Sequence, residues 1–246
     1  MININLNILK TCSSTNDIAK REAFKGSLEG SSYLSYSQTN GRGRNNNKWE
    51  SLKGNLFLSS IFRPKKNKIY WHQLSLLIGF SILETLIDFG ININLIELKW
   101  PNDVLIENKK VSGVLLEAFD NFIIVGIGLN ISKTPINEIK WKTTKLNDYI
   151  KNKMSLEQIS YKILNKIFHN YFMWQDMGFS PFKNKINEHI RNREKIIRLT
   201  FNSLKKPIIG VFLGLGDDGC LQVQVGKSIL NYYSVETITF PLDDIL

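Results

Sequence analysis

Between Leu95 and Ile131 four apolar segments of strand length follow one another closely: Leu95 to Trp100, Val104 to Glu107, Val111 to Phe119 and Phe122 to Ile131. Runs of this length, rich in Ile, Leu, Val and Phe and separated by Pro, Asn, Asp and Gly, read as strands. Asp120-Asn121 suits a hairpin turn between the last two. Strand character also marks Ser32 to Ser37 and Leu56 to Phe62, whereas apolar residues recur at helical spacing from Trp71 to Phe89, with Gly90 as the stop. Ser13-Ser14-Thr15-Asn16 ahead of Ile18, Ala19 and Ala23 reads as a helix cap followed by a short amphipathic helix. Two further helices are expected over Leu156 to Met177 and Pro181 to Asn192. The pattern predicts an α+β fold, a β-sheet with helices on one face.

After Arg193 the spacing changes to short strands: Ile196 to Phe201, Ile208 to Leu213, Leu221 to Val225 and Ile229 to Tyr233, with Gly216-Asp217-Asp218-Gly219 as a turn. The expected division is a main domain over 1–193 and a small β-barrel over 194–246, since 246 residues can bury one substantial core and a minor second one. No apolar run is long enough to span a bilayer, and Met1 to Asn5 lacks the pattern of a signal peptide, so a cytoplasmic location without membrane contact is the default. Cys12 and Cys220 lack the spacing of a zinc or redox site and read as free thiols. The formal net charge of +10 raises a nucleic-acid-binding regulator as a rival reading. Its lysines are scattered rather than striped, and no nucleic-acid motif accompanies them, so the charge reads better as steering for anionic substrates.

Residues 38 to 54 hold almost no apolar anchor except Trp49, and a loop of that length in a compact domain is commonly functional. Within it, Gly41-Arg42-Gly43-Arg44 alternates backbone that can approach a ligand with guanidinium forks suited to carboxylate or phosphate oxygens. Taken alone, such a run is also what a solvated surface turn looks like. Lys99-Trp100-Pro101-Asn102-Asp103 closes a strand with a rigid turn that presents an amide and a carboxylate, able to hold a magnesium ion, orient a ribose or amine, or simply build the turn. Lys110 stands at the mouth of the apolar strand Val114-Leu115-Leu116, with Gly113 between, placed to neutralise an anion or to snorkel at an edge. Gly126-Ile127-Gly128-Leu129-Asn130 ends another strand and is not a dinucleotide fingerprint, because the third glycine would fall at Ile131. Gly226-Lys227-Ser228 is not a P-loop, since Leu221 stands where its first glycine is needed. His72, His169 and His189 have no ligand partner at metal-motif spacing.

Taken in order, Ser14-Thr15-Asn16, Gln38 with Gly41 to Arg44 and Trp49, Lys99 to Asp103, Lys110 to Gly113 and Gly126 to Asn130 closely resemble the signatures of the biotin protein ligases. The resemblance implies a mixed sheet related to class II aminoacyl-tRNA synthetases plus an SH3-like C-terminal domain. It implies an enzyme that activates biotin with ATP and Mg²⁺ as biotinyl-5′-AMP and transfers it to a lysine of the biotin carboxyl carrier protein of acetyl-CoA carboxylase, without a tightly bound prosthetic group. Lys110, Arg42 and Asp103 would be catalytic, with Asp103 orienting the acceptor lysine. Ser14, Thr15, Asn16, Gln38, Gly41, Arg42, Gly43, Lys110, Gly113 and Gly128 would bind biotin. Arg42, Arg44, Trp49, Lys99, Asn102, Lys110 and Asn130 would bind the nucleotide, with Asn102 also the candidate metal contact. Because the pattern begins within the first fifteen residues, a form without an N-terminal DNA-binding domain, and so without DNA as partner, is expected; it could be a monomer or a homodimer. A lipoate protein ligase of the same fold is the nearer rival, although such enzymes carry an Arg-Arg-x-Ser-Gly-Gly-Gly stretch where this chain has Gly41 to Arg44.

One departure stands out: the family continues the loop with glycine and arginine where this chain has Asn46 and Asn47. A missing cation predicts a weaker grip on the triphosphate. Asn47→Arg is therefore expected to tighten apparent ATP affinity, and an unchanged KM for ATP would refute that.

Overall fold

The structure, a computed structural model, describes residues 4–135, 142–201 and 206–239, and its chain divides into two compact units, Met1–Asp176 and Met177–Leu246. The first unit contains β1 (Asn5–Leu9), α1 (Thr15–Phe24), β2 (Ser31–Ser35), β3 (Leu56–Phe62), α2 (Gln73–Asp88), β4 (Ile96–Lys99), β5 (Asp103–Ile106), β6 (Lys109–Ala118), β7 (Ile123–Leu129) and α3 (Leu156–Met177). The second contains α4 (Ser180–His189), β8 (Ile196–Thr200), β9 (Ile208–Leu215), β10 (Leu221–Val225), β11 (Ser228–Tyr232) and β12 (Thr237–Thr239).

The seven strands of the first unit lie in the order β1-β2-β3-β7-β6-β5-β4. Only β1 and β2 run parallel, joined through α1, and every other neighbouring pair is antiparallel, so the sheet is mixed as expected. Since side chains alternate between faces of a strand, the register defines rows across the sheet. One row reads Phe57, Gly128, Gly113, Asp103 and Lys99 across β3, β7, β6, β5 and β4. Two residues along, on the same face, Ser59, Gly126 and Leu115 are aligned. The opposite face carries Leu56, Leu129, Ser112, Val104 and Leu98.

The two long helices take that opposite face. Phe168 of α3 stacks on Phe62 at 4.8 Å between ring centroids, and Gly79 of α2 lies against Leu98. Asn170 of α3 donates to Ser81 of α2 at 3.0 Å, which satisfies a buried amide between the helices. Each large apolar side chain removed from water here contributes about 1.5–3 kcal/mol. The short helix α1 instead packs Ala19 and Ala23 against Tyr33, Ile61, Phe122 and Ile124 on the glycine-bearing face. It covers one end of that face and leaves the Gly113–Gly128 row to the 38–54 loop.

The second unit is an antiparallel sheet in the order β11-β10-β9-β8-β12, consistent with an SH3-like fold, with Ile197, Leu199, Phe212, Leu221 and Val223 buried. Asn187 of α4 accepts from the Leu215 N–H at 2.8 Å. Both cysteines are free, and burial pushes the Cys220 thiol up to about 12, so it stays protonated and inert.

Candidate functional site

The N-terminus of α1 meets the sheet where β7 is bare. Asn16 seats its side-chain amide against Gly126, where an added Cβ would fall 2.2 Å from Asn16 Oδ1. The Ser59 hydroxyl lies 2.6 Å from that same oxygen and 2.7 Å from Thr15 Oγ1. The Thr15 N–H donates to Gln38 Oε1 at 2.8 Å, and Gln38 Nε2 donates to Ser51 Oγ at 3.0 Å. Ser14, Thr15 and Asn16 are all buried. Three of the expected ligand-binding residues therefore form one neutral hydrogen-bonding patch, together with Ser51 and Ser59, which sequence reading passed over.

The second bare position seats Trp49. A Cβ at Gly128 would lie 2.3 Å from Trp49 Cε2, and one at Gly113 would lie 3.1 Å from Trp49 Cζ3. The indole thus lies against the strand pair that the register aligns at Gly113 and Gly128. Gly41 permits the loop to close: its Cβ would meet Ser51 Oγ at 2.4 Å, and its carbonyl accepts from the Trp49 N–H at 3.0 Å. The Gly43 N–H donates to the Asn47 carbonyl at 2.7 Å, and between them Asn45 takes a left-handed conformation with φ of 53°. Asparagine tolerates that conformation better than most side chains.

At the β5–β6 end the charges are cationic. Lys110 Nζ lies 3.0 Å from Asp103 Oδ1, and both side chains are largely buried, with 17% and 15% exposed. Lys110 also sits over the Trp49 ring, 5.2 Å from its centroid. Arg44 donates to Asn102 Oδ1 at 3.3 Å; burial lowers its pKa, an effect opposed by the charge of Asp103. Asn102 follows a cis Trp100–Pro101 peptide, and its Nδ2 donates to the Val114 carbonyl at 2.9 Å. Lys99 stands beside Asp103 in the same row.

Arg42 turns the other way. It makes a bidentate pair with Asp17, at 2.8 and 2.6 Å, and reaches Glu117 Oε1 at 3.2 Å. The hydrogen bonds to Asp17 are the largest cause of its raised pKa, and the same contact holds Asp17 below the usual carboxylate range. Asn16 Nδ2 donates to Glu117 Oε2 at 2.6 Å, so Arg42 joins the neutral patch through that carboxylate. The site is consequently polarised. Two carboxylates face one guanidinium near α1, while Lys110 and Arg44 outnumber Asp103 at the far end.

Besides Asp103 Oδ1, which faces the Lys110 ammonium, two buried polar atoms in this region, Trp49 Nε1 and Asn130 Oδ1, have no hydrogen-bond partner among the described residues. A buried donor or acceptor left unmet costs about 1–3 kcal/mol, which marks this donor and this acceptor as places where a ligand could pair. Asn102 Oδ1 is turned to a guanidinium, and no group of three or more His, Cys, Asp or Glu side chains among the described residues could hold a metal ion. Among the described residues no carboxylate cluster makes a protein-built magnesium cage.

Asn130 is placed by a residue that motif reading missed. Asn55, fully buried, uses Oδ1 to accept from the N–H groups of Ile131, Ser132 and Lys133 at 3.0, 3.0 and 3.1 Å, and its Nδ2 donates to the Lys133 carbonyl at 2.8 Å. It thereby fixes the chain as it leaves β7. Asn55→Ala removes the acceptor of three N–H groups, one of them fully buried, and is expected to cost about 1–3 kcal/mol in urea unfolding. Asn55→Asp, which keeps an acceptor oxygen, should cost less; equal losses would show that the three contacts do not carry the effect.

Residues 8–131 match the model of the biotin/lipoate A/B protein ligase family. Across 234 residues the chain is 29% identical to the bifunctional ligase/repressor BirA of Bacillus subtilis, covering 91% of this chain and 70% of that protein. The biotin–[acetyl-CoA-carboxylase] ligase of Paracoccus denitrificans is 28% identical over 219 residues, covering 83% of this chain and 90% of the relative. Among solved structures, the biotin protein ligase of Aquifex aeolicus in complex with biotin and ATP superposes with a TM-score of 0.82 at 32% identity, covering 96% of this chain and 99% of that one. Among the described residues no helix is long and apolar enough to cross a membrane.

Proposed function

This chain belongs to the biotin/lipoate A/B protein ligase family, and from that premise we propose that it activates biotin as biotinyl-5′-AMP and passes the biotinyl group to a lysine of a biotin carboxyl carrier protein. In the first step a carboxylate oxygen of biotin attacks the α-phosphorus of ATP and pyrophosphate leaves. In the second the lysine amine attacks the acyl carbon and AMP leaves. The observation that carries the reading is the polarised site, with a neutral hydrogen-bonding patch at one end and Lys110 and Arg44 at the other.

The first step brings two anions together. Unit charges about 4 Å apart repel by roughly 4 kcal/mol at an effective dielectric of 20. Cations must offset that repulsion, and Lys110 and Arg44 are the ones not committed to the α1 carboxylates. Thr15, Gln38, Ser59 and Asn16 are suited to the uncharged ureido ring, which presents both donors and acceptors. Substrate orientation then follows from charge: the ring goes to the end where carboxylates would repel an anion, and the carboxylate goes to the lysine. Trp49 walls the site and excludes water from the reacting atoms, and Asn130 Oδ1 offers an acceptor to the nucleotide. Asp103 exchanges its contact with Lys110 for the incoming lysine, takes the proton its ammonium must give up, and orients the free amine toward the acyl carbon. Magnesium would arrive on the triphosphate, whose oxygens supply its ligands. We assign biotin and ATP binding to residues 1–193 and regard 194–246 as the small accessory domain.

The test is biotin-dependent exchange of pyrophosphate into ATP by the purified protein, with lipoate offered in parallel. Exchange with biotin and little with lipoate is expected. Preference for lipoate would transfer the assignment to the other branch of the family, and exchange with neither would remove it.

A further inference from the structure

We propose that Tyr149 is a positioning residue for Lys110, acting through Thr144 and the 142–144 segment that brackets the lysine's main chain. Lys110 and Gly113 are an odd number of residues apart, and on a regular strand their side chains would point to opposite faces. The β5–β6 register shifts between them: Val104 faces Ser112 but Leu105 faces Lys110, so Val111 is the extra residue of a bulge. The bulge turns Lys110 onto the Gly113 face, where its Cε lies 3.2 Å from the position a Gly113 Cβ would take. It also disrupts the ladder at the residue whose aim matters most. On the other side β7 gives no support, since its last residue, Leu129, already pairs with Ser112. The place beyond it is taken by 142–144, running parallel to β6. The Lys110 N–H donates to the Lys142 carbonyl at 2.8 Å, and the Lys110 carbonyl accepts from the Thr144 N–H at 2.9 Å.

Tyr149 ties that segment to the β5–β6 turn. Its hydroxyl accepts from Thr144 Oγ1 and donates to Glu107 Oε2, both at 3.1 Å. Thr144 is itself buried. Burial above all raises the Tyr149 pKa, with Thr144 opposing and Glu107 assisting, so the hydroxyl keeps the proton it donates. Glu107 and Asn108 form the two-residue turn with φ of 50° and 62°, a conformation for which Asn and Gly are the relaxed choices. A glutamate kept there is an outlier that points to a use, and its carboxylate is what Tyr149 meets.

The expected kinetics rest on the function given above, whereas these contacts do not. Amide hydrogen exchange of wild-type protein and Tyr149→Phe, taken with and without biotin and ATP, reads the segment directly. Peptides covering 109–111 and 142–144 are expected to exchange about tenfold faster in the variant, while those of β2 and β3 are unchanged. Tyr149→Phe should lower kcat for pyrophosphate exchange about tenfold with KM for biotin within about threefold, because a slightly misplaced ammonium fails at the reacting oxygens and not at the ureido ring. Glu107→Ala should do the same, and Glu107→Gln, which keeps an acceptor oxygen, should lose less. In a Lys110→Ala background Tyr149→Phe is expected to add little further loss, since both changes act on one group. Equal factors in the two backgrounds overturn the proposal, as does hydrogen exchange at the wild-type rate in both conditions or faster exchange spread evenly over the chain. If wild-type protein shows no pyrophosphate exchange with biotin, the functional reading fails while the hydrogen exchange still decides whether Tyr149 holds the segment.

Discussion

Lys110→Ala is expected to lower kcat/KM for biotin-dependent pyrophosphate exchange by about 10²–10³-fold, the loss found when one preorganised oxyanion-stabilising donor is removed from an acyl-transfer site. Lys110 lies mostly buried beside Trp49 and Asp103, where its charge is less screened than in water. Removing it also leaves the Asp103 carboxylate without that ion-pair partner, at a stability cost that reaches about 3–5 kcal/mol for fully buried pairs. Asp103→Asn separates the two effects. It breaks the same pair but leaves the cation, so exchange should survive within about tenfold while transfer to the carrier slows. Equal losses of exchange in both variants would mean that the pair serves the fold and not the chemistry.

The next largest effect is expected from the smallest change. Gly128→Ala adds one methyl group, placed 2.3 to 2.8 Å from Trp49 Cε2, Cζ2 and Nε1. The indole is rigid and cannot yield locally, so it must leave its seat and carry the loop with it. Misplacing catalytic groups by about 1 Å can cost about 10²-fold, and a loss of that order in exchange is expected with the sheet otherwise intact. Activity within a few fold of wild type would show that the Trp49 seat is not what positions the loop.

The sheet and its long helices were legible because their apolar residues recur at the right periods: Leu156–Met177 and Leu221–Val225 fall where the pattern put them. β1 was not. Asn5-Leu6-Asn7-Ile8-Leu9 is an edge strand, paired on one side only, and half polar. The loop glycines read as backbone that can approach a ligand, and the structure sets Gly41, Gly126 and Gly128 against Ser51, Asn16 and Trp49, contacts that motif spacing does not reveal. Nothing in a linear string pairs Arg42 with Glu117, 75 residues away, because that contact exists only once β6 is in register. Asp17 carried one signal, an acid in the first turn of a helix, which fits the helix dipole well enough to conceal a second use. Asn55 was findable in principle, as an amide beside a glycine at the start of an apolar strand.

The facing alignment of Gly113 and Gly128 also bears on how the chain reaches its active form. A slip of one residue along β7 would present Ile127 or Leu129 where Trp49 needs bare backbone, and Val125 or Ile127 where Asn16 does, while turning Gly126 and Gly128 to the buried face in place of branched side chains. Such a misaligned sheet would be underpacked inside as well as unable to accept its own loop. The glycines that seat Trp49 and Asn16 therefore also fix the register of β7, because only one alignment fills the core and leaves the loop its place.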